Sequence, residues 1–308
     1  MTSPSGMLPV YKPSGMTSKD VSRRLLRRFG KLKIGHVGTL DPDAEGVLPV
    51  LIGNATKLQD YLLDMPKIYS FTVKLGYFTS TQDASGVALE SKDFAHITQQ
   101  SLKDASLKFL GKIQQVPPLY SAVKLDGKEL YKHARSGVST LSETDINRIK
   151  RDVVIYSIDL IRFSYDEFEM LVNCSKGTYV RTLAYDILCD LNTAGHVTKI
   201  RRDRSSGISL DDCLLLDHIE NPSSQLTEHL IPTDRISIGL PSLTVNDSVL
   251  VQRIRDGQRV KVPESHGVIA QDVEGKMFLL KTSSGVSFGI GLVKSTDQGE
   301  FLNLKRGI

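Results

Sequence analysis

Gly35-His36-Val37-Gly38-Thr39-Leu40-Asp41-Pro42-Asp43-Ala44-Glu45-Gly46 runs directly into Val47-Leu48-Pro49-Val50. Asp41 stands among glycines and a proline, so the backbone bends around one carboxylate, and the apolar run behind it anchors the bend to a core. The residue types alone leave two readings open: a carboxylate that the loop aims, or an Asp that caps its own turn before Pro.

Around this loop lies a chain of 308 residues, more than one hydrophobic core usually organises, so two domains are expected. Hydrophobic residues at 40% and charged ones at 24% describe an ordinary folded protein rather than a disordered one. Lys and Arg outnumber Asp and Glu by 39 to 35, an excess too small to demand an anionic partner by itself. Cys174, Cys189 and Cys213 form no CxxC pair, so neither a disulfide framework nor a zinc site is indicated. A cytoplasmic location is therefore expected. Met1 to Pro9 lacks the layout of a signal peptide and no long apolar run occurs, which argues against export and membrane insertion.

Upstream of the loop, Lys12-Pro13-Ser14-Gly15-Met16-Thr17 leads into a helix that Ser18 can cap, with Val21, Leu25 and Phe29 on one face and Gly30 at its end. Arg23, Arg24, Arg27 and Arg28 occupy its other face, either solvated or against phosphate. Downstream, Phe71, Val73 and Leu75 alternate as in a half-buried strand, and Asp83 to Gly86 supplies a turn. Ser91 to Lys112 reads as peripheral helix, and Val153 to Ile161 and Phe168 to Cys174 as strands. Val180, Leu183, Ala184, Ile187, Leu188 and Leu191 then fall on one helical face. Composition shifts near Ile231-Pro232 and Leu240-Pro241. Beyond them, alternating runs at Met277 to Lys281 and Val286 to Leu292, punctuated by Gly267, Gly275, Gly285 and Gly299, predict a small β-rich module.

Four further stretches carry chemistry-bearing residues. Lys67-Ile68-Tyr69 opens the Phe71 strand, where a tyrosine is either packing or a stacking face for a base. Gln115-Val116-Pro117-Pro118-Leu119-Tyr120-Ser121-Ala122-Val123-Lys124 precedes a basic segment with Leu130-Tyr131 and Ala134-Arg135, which suits an RNA-facing wall. Cys174-Ser175-Lys176-Gly177-Thr178-Tyr179-Val180-Arg181 joins strand to helix; Arg181 falls in the first helical turn, where the macrodipole disfavours a cation, so a carboxylate partner is inferred. Gly195-His196-Val197-Thr198-Lys199-Ile200-Arg201-Arg202 ends in a basic run open to phosphate contact or to solvation.

Together with the Lys12 and Asp41 stretches, these strings resemble the TruB family of pseudouridine synthases over nearly the whole chain, strongly through Arg202 and more weakly beyond Pro241. Thr198 and Ile200 depart mildly from the family pattern. The resemblance implies an α/β (α+β) pseudouridine synthase fold with a mostly antiparallel central sheet at residues 1–236, and a PUA-like RNA-binding domain at 241–308. It implies isomerisation of the uridine at position 55 in the T loop of tRNA, after the base is flipped from its stack. Asp41 takes the place of the catalytic aspartate, Tyr69 of the active-site tyrosine, and Arg181 of the arginine that keeps the aspartate ionised and oriented. His36 lies in the place of the residue beside the flipped uridine. Lys12, Lys124, Arg135, Tyr179, Ile200, Arg201 and Arg202 are the remaining candidates for substrate or RNA contact.

The reaction needs no redox change or group donor, so no cofactor is expected, and no GxGxxG or Walker A string occurs. His36 and His196 lie outside any metal-ligand pattern, so no metal is expected either. The expected partner is the T stem-loop of tRNA, bound by a monomer without membrane or protein help. Two rivals are a partner-dependent guide-RNA pseudouridine synthase, and an RNA-binding or tRNA-folding protein without chemistry.

Overall fold

The structure is a computed structural model that describes residues 4–30, 32–138, 140–221, 223, 225–261, 275–297 and 299–308. Met1 and Gly267 from the sequence reading lie outside that set. The chain begins β1 (Gly6–Lys12), α1 (Ser18–Phe29), β2 (Ile34–His36), β3 (Glu45–Ile52), α2 (Gln59–Asp64) and β4 (Lys67–Leu75). A hairpin of β5 (Tyr77–Thr79) and β6 (Ala88–Ser91) follows, then α3 (Gln99–Leu107) and β7 (Gly111–Gln115). A second hairpin, β8 (Lys124–Leu125) and β9 (Lys128–Glu129), carries α4 (Leu130–Arg135) and α5 (Glu143–Ile149). Next come β10 (Arg151–Ser164), β11 (Glu167–Cys174), α6 (Val180–Asp190), β12 (Gly195–Ser205), β13 (Ile208–Ser209), β14 (Leu214–Leu215), α7 (Leu216–Glu220), α8 (Leu226–His229) and β15 (Ile231–Pro232).

These build one sheet in the order β14-β1-β3-β12-β4-β11-β10-β7, with β2, β13 and β15 paired at its flanks. Its pairings are antiparallel except β1 with β14 and β3 with β12, so the sheet is mostly antiparallel, as expected. The β4 alternation places Phe71, Val73 and Leu75 in an apolar cluster with Phe168, Met170 and Val172 of β11 and Leu183, Ile187 and Leu188 of α6. Strand β12 joins two halves. It pairs with β4 along nine positions and with β3 at Arg201 and Arg202 only, beside Glu45 and Gly46.

Two local expectations need correction. Thr17, not Ser18, caps α1, because Asp20 three residues on completes a reciprocal capping box with it; Ser18 turns its buried hydroxyl elsewhere. The helix expected across Ser91 to Lys112 is confined to α3, where Thr98 caps the start and Gly111 at φ +85° turns the chain into β7.

The last strands, β16 (Ser242–Val245), β17 (Val260–Lys261), β18 (Met277–Thr282), β19 (Ser287–Thr296) and β20 (Gly299–Gly307), form a five-stranded sheet against α9 (Ser248–Arg255). This unit has its own cluster around Phe278, Leu280, Phe288 and Leu302. Its other face is not independent, since Leu279 and Ile290 join Met7, Val37, Val47, Leu51 and Leu58 in one buried cluster. Arg306 Nη1 also donates to Lys57 O (2.6 Å), and Lys57 Nζ to Gly307 O (3.1 Å).

Candidate active site

The Asp41 loop is pinned from three sides. Lys12, fully buried, donates to Pro13 O (2.8 Å), Met16 O (2.6 Å) and Pro42 O (2.9 Å), and Gly15 N adds a bond to Pro42 O (3.0 Å). Ser18 Oγ accepts from Leu40 N (2.9 Å), which ties the start of α1 to the residue before Asp41. Arg202, also fully buried, donates from Nε to Val47 O (2.7 Å) and from Nη2 to Gly38 O (2.9 Å). One guanidinium thus holds both arms of the loop. Gly46, at φ +105°, passes so close that a Cβ there would meet Arg202 O at 2.4 Å.

Burial corrects two of the expected RNA contacts. Lys12 and Arg202 have no surface to offer a phosphate; their charges are spent on backbone carbonyls under the loop. Burial pushes the Lys12 amine down to about 8, against the pull of Asp43 and Asp41. Lys67, buried on the opposite side, is likewise pushed down to about 8 by burial and donates to Met65 O (2.6 Å). A third expected contact, Arg201, is exposed, but its Nε donates to Asp203 (2.6 Å), so its charge is locally offset.

Arg181 reaches Asp41 from the N-terminal turn of α6. Its Nε lies 2.9 Å and its Nη2 2.8 Å from the same oxygen, Oδ2. Nη1 donates to Thr81 O (2.8 Å) and Nη2 to Tyr120 O (3.0 Å), so the 3% exposed guanidinium also gathers the loops after β5 and β7. The Asp41 side chain is 40% exposed, and Oδ1 has no hydrogen-bond partner among the described residues.

A second carboxylate, Asp83, lies 3.4 Å from Arg181 Nη1. Thr81 Oγ1 (2.6 Å) and Ser85 Oγ (2.6 Å) both donate to its Oδ1, which aims the other oxygen at the arginine. Sequence reasoning took Asp83 for a turn residue, and nothing local reveals a partner 98 residues later in the chain. Gln115 was also missed: its side chain accepts from Tyr179 N (2.9 Å) and donates to Tyr179 O (3.3 Å), steadying the residue that caps α6.

Tyr69 and Ile200 are half-buried and pack against the large cluster of the sheet, Tyr69 opposite Arg202 and Ile200 opposite Phe71 in the β4–β12 register. Burial pushes the Tyr69 phenol up, and the nearby Arg202 guanidinium pulls the other way. His36 Nδ1 and Nε2 lie 3.3 Å from Ser22 Oγ and from Thr39 Oγ1. Burial, then Arg202 and Lys19, push its imidazole down, so the ring is neutral at pH 7. Tyr179 is half-buried under the Arg151 guanidinium, 5.5 Å from its ring centre. Lys124 and Arg135 are exposed, on a lobe with its own small core of Leu125, Leu130 and Ile149. No group of three or more metal-ligating side chains occurs among the described residues. Nor is any helix among them long and apolar enough to cross a membrane.

The family model described as TruB family pseudouridylate synthase (N terminal domain) matches residues 23–180, a span that holds both the Asp41 loop and Tyr69. The chain belongs to this family. It is 35% identical over 289 residues to tRNA pseudouridine synthase B of Clostridium kluyveri, covering 94% of this chain and 96% of that one. With tRNA pseudouridine synthase B of Staphylococcus aureus the identity is 41% over 278 residues, covering 87% and 89%. Among solved structures, the crystal structure of a Cbf5-Nop10-Gar1 complex contains a chain with TM-score 0.72 at 22% identity, covering 98% of this chain and 84% of that one. The archaeal box H/ACA sRNP Nop10-Cbf5 complex gives 0.70 at 20%, covering 98% and 85%. At such identities the structural likeness speaks for the fold, and it spans both sheets of this TruB-family chain.

Proposed function

We propose that this TruB-family protein isomerises uridine to pseudouridine in tRNA, at position 55 of the T loop, with Asp41 as the acting carboxylate. The relatives bearing the name tRNA pseudouridine synthase B match nearly end to end. The observation that carries the residue assignment is that Arg181 occupies only Oδ2 of Asp41. A carboxylate held by one oxygen and partly exposed keeps the other for a substrate atom.

The reaction breaks N1–C1′, forms C5–C1′, and moves the C5 proton off carbon while N1 gains one, so it balances as an isomerisation. Asp41 serves it by attack at C1′, by attack at C6, or by taking a proton from C2′. In each case Arg181 fixes the carboxylate before the base arrives, and Lys12, Ser18 and Arg202 keep the loop from yielding. Tyr69 and Ile200 supply a half-apolar wall against which a flipped base stacks; stacking on the ring, about 1–3 kcal/mol per base, offsets the few kcal/mol lost on leaving the RNA stack. The Tyr69 hydroxyl, kept protonated by burial, is a hydrogen-bond donor at neutral pH. His36 acts as a neutral polar surface beside the base. Lys124 and Arg135, on the lobe beyond Tyr120, contact the RNA strand, and Tyr179 borders the same cleft. Residues 1–236 form the catalytic domain and 241–308 a PUA-like RNA-binding domain, which acts in the cytoplasm as a monomer without a protein partner.

Pseudouridine mapping of unmodified tRNA incubated with the purified protein alone tests this reading. Conversion at the T-loop uridine is expected, and none with Asp41→Asn. Retained binding without conversion would favour an RNA-folding role.

A further inference from the structure

A second cleft, of about 500 Å³, opens where the two sheets meet. One wall is the connection after β15, including Asp234, Arg235, Ser237 and Ile238; the other is β18 and the turn after it, including Leu279 and Lys281. Its floor is the shared cluster, since Ile236, Ile238 and Leu279 all belong there. The rim is polar. Arg235 is exposed and Lys281 half-buried, and neither has an ion-pair or hydrogen-bond partner among the described residues. The hydroxyls of Ser237 and Ser242 are likewise unbonded, and among the described residues Asp234 is the one acidic residue of the lining, with its carbonyl held by Ser287 Oγ (3.2 Å).

Two unpaired cations, one from each wall, and two free hydroxyls of the same lining form an arrangement for an anion. The donors suit phosphate oxygens, which take Arg and Lys charge together with Ser hydroxyl bonds. The cleft is also near the Asp41 loop: Gly239 lies against Met65, Met65 O is bonded by Lys67, and the Lys67 stem lies against Gly38. We propose that this cleft binds a sugar–phosphate segment of the RNA substrate, bridged between Arg235 and Lys281. The proposal rests on the tRNA reading above.

The test is the double variant Arg235→Ala/Lys281→Ala in the full chain, with Lys103→Ala on α3 as a control for lost surface charge. Binding of unmodified tRNA is measured across a salt series, and turnover at saturating tRNA alongside. Affinity should fall about five- to twentyfold at low salt, and the slope of log K against log salt should flatten by about one to two. Turnover at saturation should stay at the wild-type value, so the loss appears in KM. An affinity and slope matching Lys103→Ala would overturn the proposal, as would a fall in saturated turnover equal to the fall in affinity. If the wild type binds tRNA but converts no uridine, the catalytic reading fails while the salt slopes still decide the cleft.

Discussion

Arg181 and Asp41 meet through a single carboxylate oxygen, with two guanidinium nitrogens converging on Oδ2 at 2.9 and 2.8 Å. The arginine orients the aspartate without occupying it. Asp41→Asn keeps the shape but loses the charge and the basic oxygen. Turnover should fall by at least about a thousandfold, the upper range for a group that moves a proton or forms a bond, while tRNA affinity stays within a few-fold. Single-turnover kinetics beside a filter-binding titration would show it; a parallel collapse of both would place Asp41 in binding instead.

Arg181→Lys should retain the charge and lose the fork. A single ammonium cannot serve Oδ2, Thr81 O and Tyr120 O with the same planar geometry. Turnover should drop by about a hundredfold with KM little changed, the pattern of lost transition-state orientation. A rise in KM alone would assign Arg181 to substrate binding.

Tyr69→Phe separates the ring from its hydroxyl. Stacking should survive, leaving affinity within about threefold, while turnover falls by about a hundredfold if the phenol takes part in proton transfer. Wild-type turnover in this variant would confine Tyr69 to the wall of the pocket.

Gly46→Ala and Gly15→Ala make a matched pair at positive φ. At Gly15 (φ +86°) an added Cβ meets open space, so the cost is backbone strain alone, about 1–2 kcal/mol. At Gly46 the same atom strikes the Arg202 backbone, and the cost should exceed about 3 kcal/mol. Urea midpoints compare them directly; equal losses would mean that the close approach of β3 and β12 is soft.

Lys12 predicts a pH signature. Its amine is pushed down to about 8 in the folded protein, against about 10.5 when exposed. Between those values the unfolded chain binds more protons than the folded one, so the Lys12 contribution to stability rises with pH across that window. Turnover should move the opposite way, since a neutral amine has two N–H bonds for three carbonyls. Lys12→Met should remove this part of the stability slope and cost about 1–3 kcal/mol at pH 7 through unsatisfied carbonyls. An unchanged slope in the variant would refute the assignment.

The sheet strands and the amphipathic α6 were legible because their apolar residues keep strict periods of two and of 3.6. The Asp41 loop stood out for its glycines and proline. What stayed hidden depends on contacts between distant segments. Arg202 and Lys12 look like surface cations in a string of letters, and only the closure of β3 against β12 and β1 shows them sealed under the loop. Asp83 lies in an ordinary polar turn until α6 swings Arg181 beside it. Thr17 and Ser18 are both capping types, and the box that Asp20 closes with Thr17 decides between them, leaving the Ser18 hydroxyl to Leu40 N. The apolar alternation of β18 and β19 signalled a module of its own, with no hint that one face would be shared.

That shared face makes the site's foundation depend on the second sheet. Met7 near the start of the chain and Ile290 near its end lie in one buried cluster with Val37 and Val47, which flank the Asp41 loop. A chain cut before β18 would keep Arg181 on Asp41 and Lys12 and Arg202 on the loop. It would leave the apolar underside at Val37 and Val47 open to water where Leu279 and Ile290 now lie, so a fragment carrying every candidate catalytic residue would hold its hydrogen bonds over a wet floor.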